Sequence, residues 1–101
     1  MNKFTLVYQL PDATHKKMGY LSFNGKFVFE LDESIPTELW QKVGIIPVDP
    51  VTRKLESVDL FAYINARLPI DLRNASKDSK LDYIKRSGLR VPSDNFLFIP
   101  F

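Results

Sequence analysis

The dipeptide Asn24-Gly25 constrains the fold of this 101-residue chain more than any other feature. Asn followed by Gly best suits the two positive-φ positions of a type I′ turn, which joins antiparallel strands through a two-residue loop. Residues 19–23 and 26–31 flank the dipeptide, and alternate residues of the second segment, from Phe27 to Leu31, are large and apolar. The sequence therefore predicts a β-hairpin, with Phe27 and its alternate neighbours on one face.

Two other segments have strand-like patterns. Residues 3–10 alternate, so that Phe4, Leu6 and two further apolar side chains share a face. Pro11 ends this strand, and the polar residues 13–17 are expected to form a turn or loop. The last segment, residues 95–101, is apolar from Phe96 onward and predicts a buried strand.

One apolar segment is interrupted by two prolines. Residues 45–50 contain Pro47 and Pro50, and proline cannot donate a ladder hydrogen bond. We expect an edge strand or an extended segment there, because a central strand would lose those bonds.

Three helices are expected from capping residues and apolar spacing. A short one opens near Pro36 and ends at Gly44, with Leu39, Trp40 and Val43 on its apolar side. A second runs from the N-cap Ser57 to about residue 67, with an apolar stripe at helical spacing. A third covers about residues 79–87, between the N-cap Asp78 and a closing glycine.

These elements together predict an α+β fold. The order is strand, hairpin, short helix, extended segment, two helices and a final strand. We expect a small antiparallel sheet, with its N-terminal β-hairpin, packed against two to three short helices. The length suits a single domain that spans residues 1–101.

Catalytic and metal-binding patterns are weak in this sequence. There is one histidine, His15, which lies in a lysine-rich segment, and there is no cysteine. Asp32 and Glu33 are adjacent and would point in different directions on a strand end. The four glycines are scattered and form no phosphate-binding loop. We therefore expect a non-enzymatic protein without a metal or cofactor.

Charge and hydropathy suggest further possibilities. Residues 67–90 carry seven basic and three acidic side chains, for a net charge of +4. This segment could bind nucleic acid, or it could be an ordinary solvated helix with charge alternation. The apolar runs are far shorter than a membrane span, and the start has no signal-peptide pattern. We expect a cytoplasmic protein.

Two aromatic features are candidates for partner binding. Trp40 could cover the sheet, or it could anchor an interface, where tryptophan is over-represented. The apolar tail ends in Phe101, which we expect to contact a partner, whereas Phe96 and Phe98 are expected in the core.

Several short motifs resemble the N-terminal subdomain of HipA-type toxin kinases, over roughly residues 18–98. The matching residues are Gly19-Tyr20-Leu21, Gly25-Lys26-Phe27-Val28-Phe29, Ile46-Pro47, Leu60-Phe61, Arg67-Leu68-Pro69, Arg73, Ser87-Gly88-Leu89 and Asp94-Asn95-Phe96. The sequence departs from the family at Gly44-Ile45-Ile46-Pro47-Val48, where two serines are usual. It contains no ATP-binding loop and no catalytic Asp motif of a kinase.

As a free-standing domain, the chain is similar to the HipS-like antitoxins of the HipBST toxin–antitoxin systems. The resemblance implies that it binds and neutralises a HipT-like serine/threonine-kinase toxin. It also implies a ternary complex with a HipB-like helix-turn-helix protein, with DNA contacted only indirectly. We expect the contact surface between residues 40 and 73, with Arg67 and Arg73 as ion-pair donors and Trp40 or Tyr63 as anchors. The alternatives are a small nucleic-acid-binding regulator that uses residues 67–90, and a structural subunit of a larger complex.

Overall fold

The computed structural model describes residues 2–89 and 94–100. Within this part of the chain, an initial three-stranded meander is followed by three short helices, a 3₁₀ turn and two further strands. The elements are β1 (Asn2–Gln9), β2 (His15–Phe23), β3 (Phe27–Leu31), α1 (Thr37–Val43), β4 (Lys54–Ser57), α2 (Ala62–Ala66), a 3₁₀ turn (Ile70–Leu72), α3 (Lys77–Ser87) and β5 (Phe96–Pro100).

The strands form a five-stranded sheet in the order β4-β3-β2-β1-β5, and every neighbouring pair is antiparallel. One face of the sheet carries the buried apolar side chains that pack with the three helices in a single core. Phe29 of β3 and Trp40 of α1, for example, stack with their ring centroids 5.7 Å apart. The predicted α+β class, with a small antiparallel sheet and short helices, is confirmed.

The hairpin forms as predicted, but its turn differs. Phe23 pairs with Phe27, so three residues connect the strands. Gly25 has a φ of 79°, whereas Asn24 does not adopt a positive φ. The prediction of a type I′ turn is therefore wrong. A type I′ turn has two residues in its loop, and this longer connection places only the glycine in the left-handed region.

The first strand is also present, and the segment after it is shorter than expected. The N–H of Leu10 donates to the carbonyl of Thr14 at 2.8 Å, which closes a tight turn. Because Gln9 then pairs with His15, β2 already begins at His15. The prediction that residues 13–17 are all turn or loop is wrong for the last three. A register shift after Leu6 leaves Val7 buried as well.

A fourth strand was not predicted. Residues 45–50 contain no strand, and β4 forms at Lys54–Ser57 instead. Asp49 Oδ1 accepts hydrogen bonds from the backbone N–H groups of Val51 at 2.7 Å and Thr52 at 3.0 Å, and this turn leads the chain into β4. Two of the four residues of β4 are charged, so the sequence of this segment lacks the apolar pattern by which a strand is predicted.

The helix boundaries need two corrections. Ser57 ends β4 rather than capping a helix, and α2 covers only Ala62–Ala66 because Phe61 is still extended, with a ψ of 144°. The expected apolar stripe is nevertheless buried. α3 begins at Lys77, since Ser76 rather than Asp78 is its N-cap and accepts from the Ser79 N–H at 3.2 Å.

Candidate functional site

Trp40, the first predicted anchor, lies in the core. It is 1% exposed, and its Nε1–H donates to the carbonyl of Ile46 at 2.7 Å. The indole packs on Phe29 of β3, so α1 is held against the sheet through this ring. Of the two roles considered for Trp40, covering the sheet is the one that this position fits, and its ring is not available to a partner at the surface.

Arg67 is also used inside the chain. Its side chain is 8% exposed and forms an ion pair with Asp94 at 2.7 Å. The same guanidinium donates to the backbone carbonyls of Leu89 and Phe96, at 2.9 Å from Nε and from Nη2 respectively. Arg67 therefore connects α2 to the end of α3 and to the start of β5, and its donors face groups of this chain.

Tyr63 and Arg73 lie on either side of Arg67 in the sequence and support the same region. The hydroxyl of Tyr63 accepts a hydrogen bond from Arg67 Nη1, and burial raises the pKa of Tyr63. Arg73 donates from Nε to the carbonyl of Leu68 at 3.2 Å and from Nη2 to that of Ala66 at 3.0 Å. It thereby binds the carbonyl end of α2, although its side chain remains exposed.

Three other basic residues of the 67–90 segment also contact the chain itself. Lys77 lies 5.9 Å from the ring centroid of Phe23, and Lys80 donates to Asn65 Oδ1 at 3.1 Å. Arg86 pairs with Asp82 at 2.9 Å, one turn earlier on α3. These contacts agree with a solvated helix of alternating charge. Binding of nucleic acid by this segment stays a prediction, and Arg90 lies outside the described residues.

The remaining chemical candidates have ordinary positions. His15 is exposed at the start of β2. The carboxylate of Asp32 accepts hydrogen bonds from the Tyr20 hydroxyl and from Ser34, which hold its pKa below the ordinary value. In the described part of the chain, no group of three or more His, Asp or Glu side chains could hold a metal ion.

The C-terminal aromatic residues differ from one another. Phe98 is 2% exposed and belongs to the core, as expected. Phe96 is only half-buried and forms an edge-to-face pair with Tyr8, with ring centroids 5.2 Å apart. The predicted partner contact of Phe101 lies outside the described residues.

Phe96 and Tyr8 instead belong to an apolar groove between α1 and the sheet. The volume of the groove is about 310 Å³. α1 forms one wall, and the end of β1, the start of β2 and β5 form the other. The residues that line this apolar groove are Tyr8, Leu10, Lys16, Met18, Ile35, Leu39, Trp40, Val43 and Phe96.

The groove combines a rigid floor with exposed apolar side chains at its mouth. Met18, Ile35 and Trp40 are each less than one-tenth exposed and are part of the core. Leu39, by contrast, is 50% exposed and Leu10 is 38% exposed. Large apolar side chains that meet in a surface depression are typical of a site that binds another molecule.

Lys16 adds one charge to this apolar surface. It is exposed near the start of β2, and it lines the groove. Among residues 2–89 and 94–100, Lys16 takes part in none of the ion pairs, which join Lys54 to Glu30, Arg67 to Asp94 and Arg86 to Asp82.

The groove was missed in the sequence because its residues come from several separate segments. A signal did exist, since Leu39 is a large apolar residue next to Trp40 on a short helix. We expected both on the apolar side that faces the core, but only Trp40 is buried. Adjacent residues of a helix are rotated by about 100° around its axis, so the side chains of Leu39 and Trp40 cannot both point into the core.

The motif residues of the HipA-type resemblance mainly build the framework. At Gly19, an added Cβ would lie 2.4 Å from Cζ of Phe29, so the ring of Phe29 needs a glycine beside it. Ile46 and Arg67 hold α1 and β5 through the hydrogen bonds described above. The groove, by contrast, is lined mainly by residues outside these motifs, with Phe96 as the exception.

No helix in the described ranges is both long and apolar enough to cross a membrane. Comparisons of the chain with protein-family models, with curated proteins and with solved structures found no match.

Proposed function

We propose that this chain is a non-catalytic, HipS-like antitoxin: a cytoplasmic protein-binding module that binds and neutralises a HipA/HipT-like serine/threonine-kinase toxin. The observation that carries the binding role is the apolar groove, where Leu39 and Leu10 remain substantially exposed beside a buried floor. Binding of a partner is favoured when it removes such an apolar surface from water, because this burial lowers the free energy of the complex.

The apolar groove changes which residues we propose for contact. From the sequence we expected Trp40, Tyr63, Arg67 and Arg73, but the first is in the core and the others donate or accept hydrogen bonds within the chain. A residue already engaged in this way would have to break its bonds to serve a partner. We therefore propose Leu39 as the principal apolar contact.

The mechanism proposed for neutralisation is steric. The chain contributes an interface and no chemical step, so the kinase is inhibited when its active site is covered or when its lobes cannot move. A HipB-like helix-turn-helix protein would complete a ternary complex, and it would make the contacts to DNA.

Co-expression tests the proposed function directly. A HipA-type kinase encoded beside this chain is produced in cells, alone or with the chain. We expect growth arrest by the kinase alone, restored growth when both are present, and a complex that co-purifies. Continued arrest without a complex would contradict the proposal.

The gene neighbourhood provides an independent test. We expect a gene for a HipA-type kinase that lacks its own N-terminal subdomain, next to a short helix-turn-helix gene. A neighbourhood with neither gene would count against the antitoxin role. Phosphorylation of a standard kinase substrate, measured with and without the purified chain, would then identify inhibition of catalysis as the cause of neutralisation.

A further inference from the structure

The side chains around the apolar groove restrict what can occupy it. Among the described residues that line it, Lys16 is the one with a charged side chain, and the others present apolar or aromatic surface. An occupant that buries this surface must be apolar where it faces Leu39 and Leu10. It gains further if it places a carboxylate near the ammonium group of Lys16.

The neighbouring sheet edge restricts the occupant's backbone. β5 is an edge strand, and several of its outward groups are already bonded: Phe98 N–H donates to the Gly88 carbonyl at 2.8 Å, Phe96 N–H donates to Asp94 Oδ1 at 3.0 Å, and the Phe96 carbonyl accepts from Arg67. Pro100 has no N–H. A segment that added to this edge as a strand would have to compete with these bonds, which favours an occupant that binds the groove through its side chains.

We infer that the apolar groove receives an amphipathic helix of the kinase toxin, which carries a short apolar row and an acidic residue that faces Lys16. This inference rests on the proposed function, since the kinase is its partner. α1 has seven residues, so this wall is about 10 Å long and matches two turns of a bound helix. Two or three apolar anchors at i, i+3 and i+4 spacing fit that length.

The test uses the full-length chain and the purified kinase. Binding affinity is measured for the wild type and for two groove variants, Leu39→Asp and Lys16→Glu. We expect Leu39→Asp to weaken binding about tenfold or more, as for an apolar anchor. We expect Lys16→Glu to weaken it about threefold to tenfold, with a smaller dependence of binding on salt.

Two matched controls separate the groove from the rest of the surface. Ile70 is 80% exposed in the 3₁₀ turn, and Ile70→Asp makes the same type of change outside the groove. Lys85→Glu reverses an exposed charge on α3. Both variants should bind the kinase as the wild type does. Thermal unfolding of all four variants checks that each is folded, and Lys16→Glu remains informative if Leu39→Asp does not fold.

The outcomes distinguish the two proposals. If the wild type binds the kinase and both groove variants bind equally well, the groove inference is overturned while the proposed function stands. A loss caused by Ile70→Asp instead would place the interface elsewhere, with the same consequence. A homodimer that Leu39→Asp dissociates would assign the groove to a second copy of the chain. Failure of the wild type to bind the kinase overturns both proposals.

Discussion

Arg67 and Asp94 form an ion pair of 2.7 Å across 27 residues of sequence. The arginine side chain is 8% exposed and that of the aspartate 33%, so the pair is largely shielded from water. Because the same guanidinium also donates to the carbonyls of Leu89 and Phe96, a single side chain joins α2, the end of α3 and β5. A residue that we expected from the sequence to contact a partner is thus a structural connection within the domain.

Removal of Arg67 should destabilise the protein strongly. Arg67→Ala removes the cationic partner of Asp94 and the side-chain donor to two backbone carbonyls, and we expect a loss of about 3 kcal/mol in the free energy of unfolding. Chemical denaturation followed by circular dichroism measures this loss. Arg86→Ala is the matched control, since its pair with Asp82 is exposed and should contribute under about 0.5 kcal/mol. Equal losses in both variants would contradict a structural role for Arg67.

Trp40 should be more sensitive to substitution than its neighbour Leu39. Trp40→Phe keeps an aromatic ring near Phe29 but removes the N–H that bonds to the Ile46 carbonyl. We expect a loss of about 1–3 kcal/mol in unfolding free energy, because a buried carbonyl loses its partner. Leu39→Ala, at a half-exposed position of the same helix, should lose less. The native tryptophan emission should also be blue-shifted relative to that of the unfolded chain, and a native spectrum like that of the unfolded chain would contradict burial of Trp40.

Gly44 and Gly88 offer a matched pair of helix C-caps. Both have positive φ, 72° and 67°, so an alanine at either position is strained by about 1 kcal/mol. At Gly88 the added Cβ would also lie 3.0 Å from the Phe98 carbonyl oxygen, whereas at Gly44 the nearest such atom is 3.9 Å away. We expect Gly88→Ala to be the more destabilising variant by about another 1 kcal/mol, measured by thermal or chemical denaturation. Equal losses of stability in Gly44→Ala and Gly88→Ala would show that β5 moves away from the added methyl group without a further measurable loss of stability.

Acidification should weaken the fold through Asp32. Hydrogen bonds from Tyr20 and Ser34 lower the pKa of this carboxyl group in the folded state. The unfolded chain therefore takes up the proton first as the pH falls. The stabilisation is present above the ordinary pKa of about 4 and is lost as the pH falls through the lower folded-state pKa.

The comparison of wild type with Tyr20→Phe isolates this contribution. The variant removes the hydrogen bond that lowers the pKa of Asp32 most. We expect a smaller difference in melting temperature between neutral and acidic pH for Tyr20→Phe than for the wild type. Asp32→Asn should reduce the difference further, because position 32 no longer titrates. If all three proteins lose stability in parallel, other carboxyl groups govern the acid response.

The sequence predicted best those elements whose signals lie in neighbouring residues. The hairpin around Gly25 has a turn residue between two strand patterns, and α3 ends at Gly88 as expected. β4 was missed because Lys54 and Glu56 face solvent on an edge strand, which leaves little apolar pattern. The long helix expected after Ser57 was wrong because strand pairing with Phe27 takes that residue instead.

The same difference between short-range and long-range information applies to the residues of the candidate site. Trp40 was singled out as the only tryptophan, and Arg67 through the resemblance to HipA-type kinases, but neither observation could distinguish a core or framework role from an exposed one. That distinction depends on Ile46, Asp94 and the backbone of β5, which reach these side chains only in the folded chain.

The amino-acid sequence by itself determined the α+β class, the hairpin around Gly25 and most apolar residues of the core, since periodicity and turn chemistry act over a few residues. Only the tertiary structure decided the pairing of β5 with β1, the internal use of Arg67 and the apolar groove beside Leu39. These features arise where segments far apart in the chain meet, and burial and hydrogen bonding at such contacts depend on the whole fold.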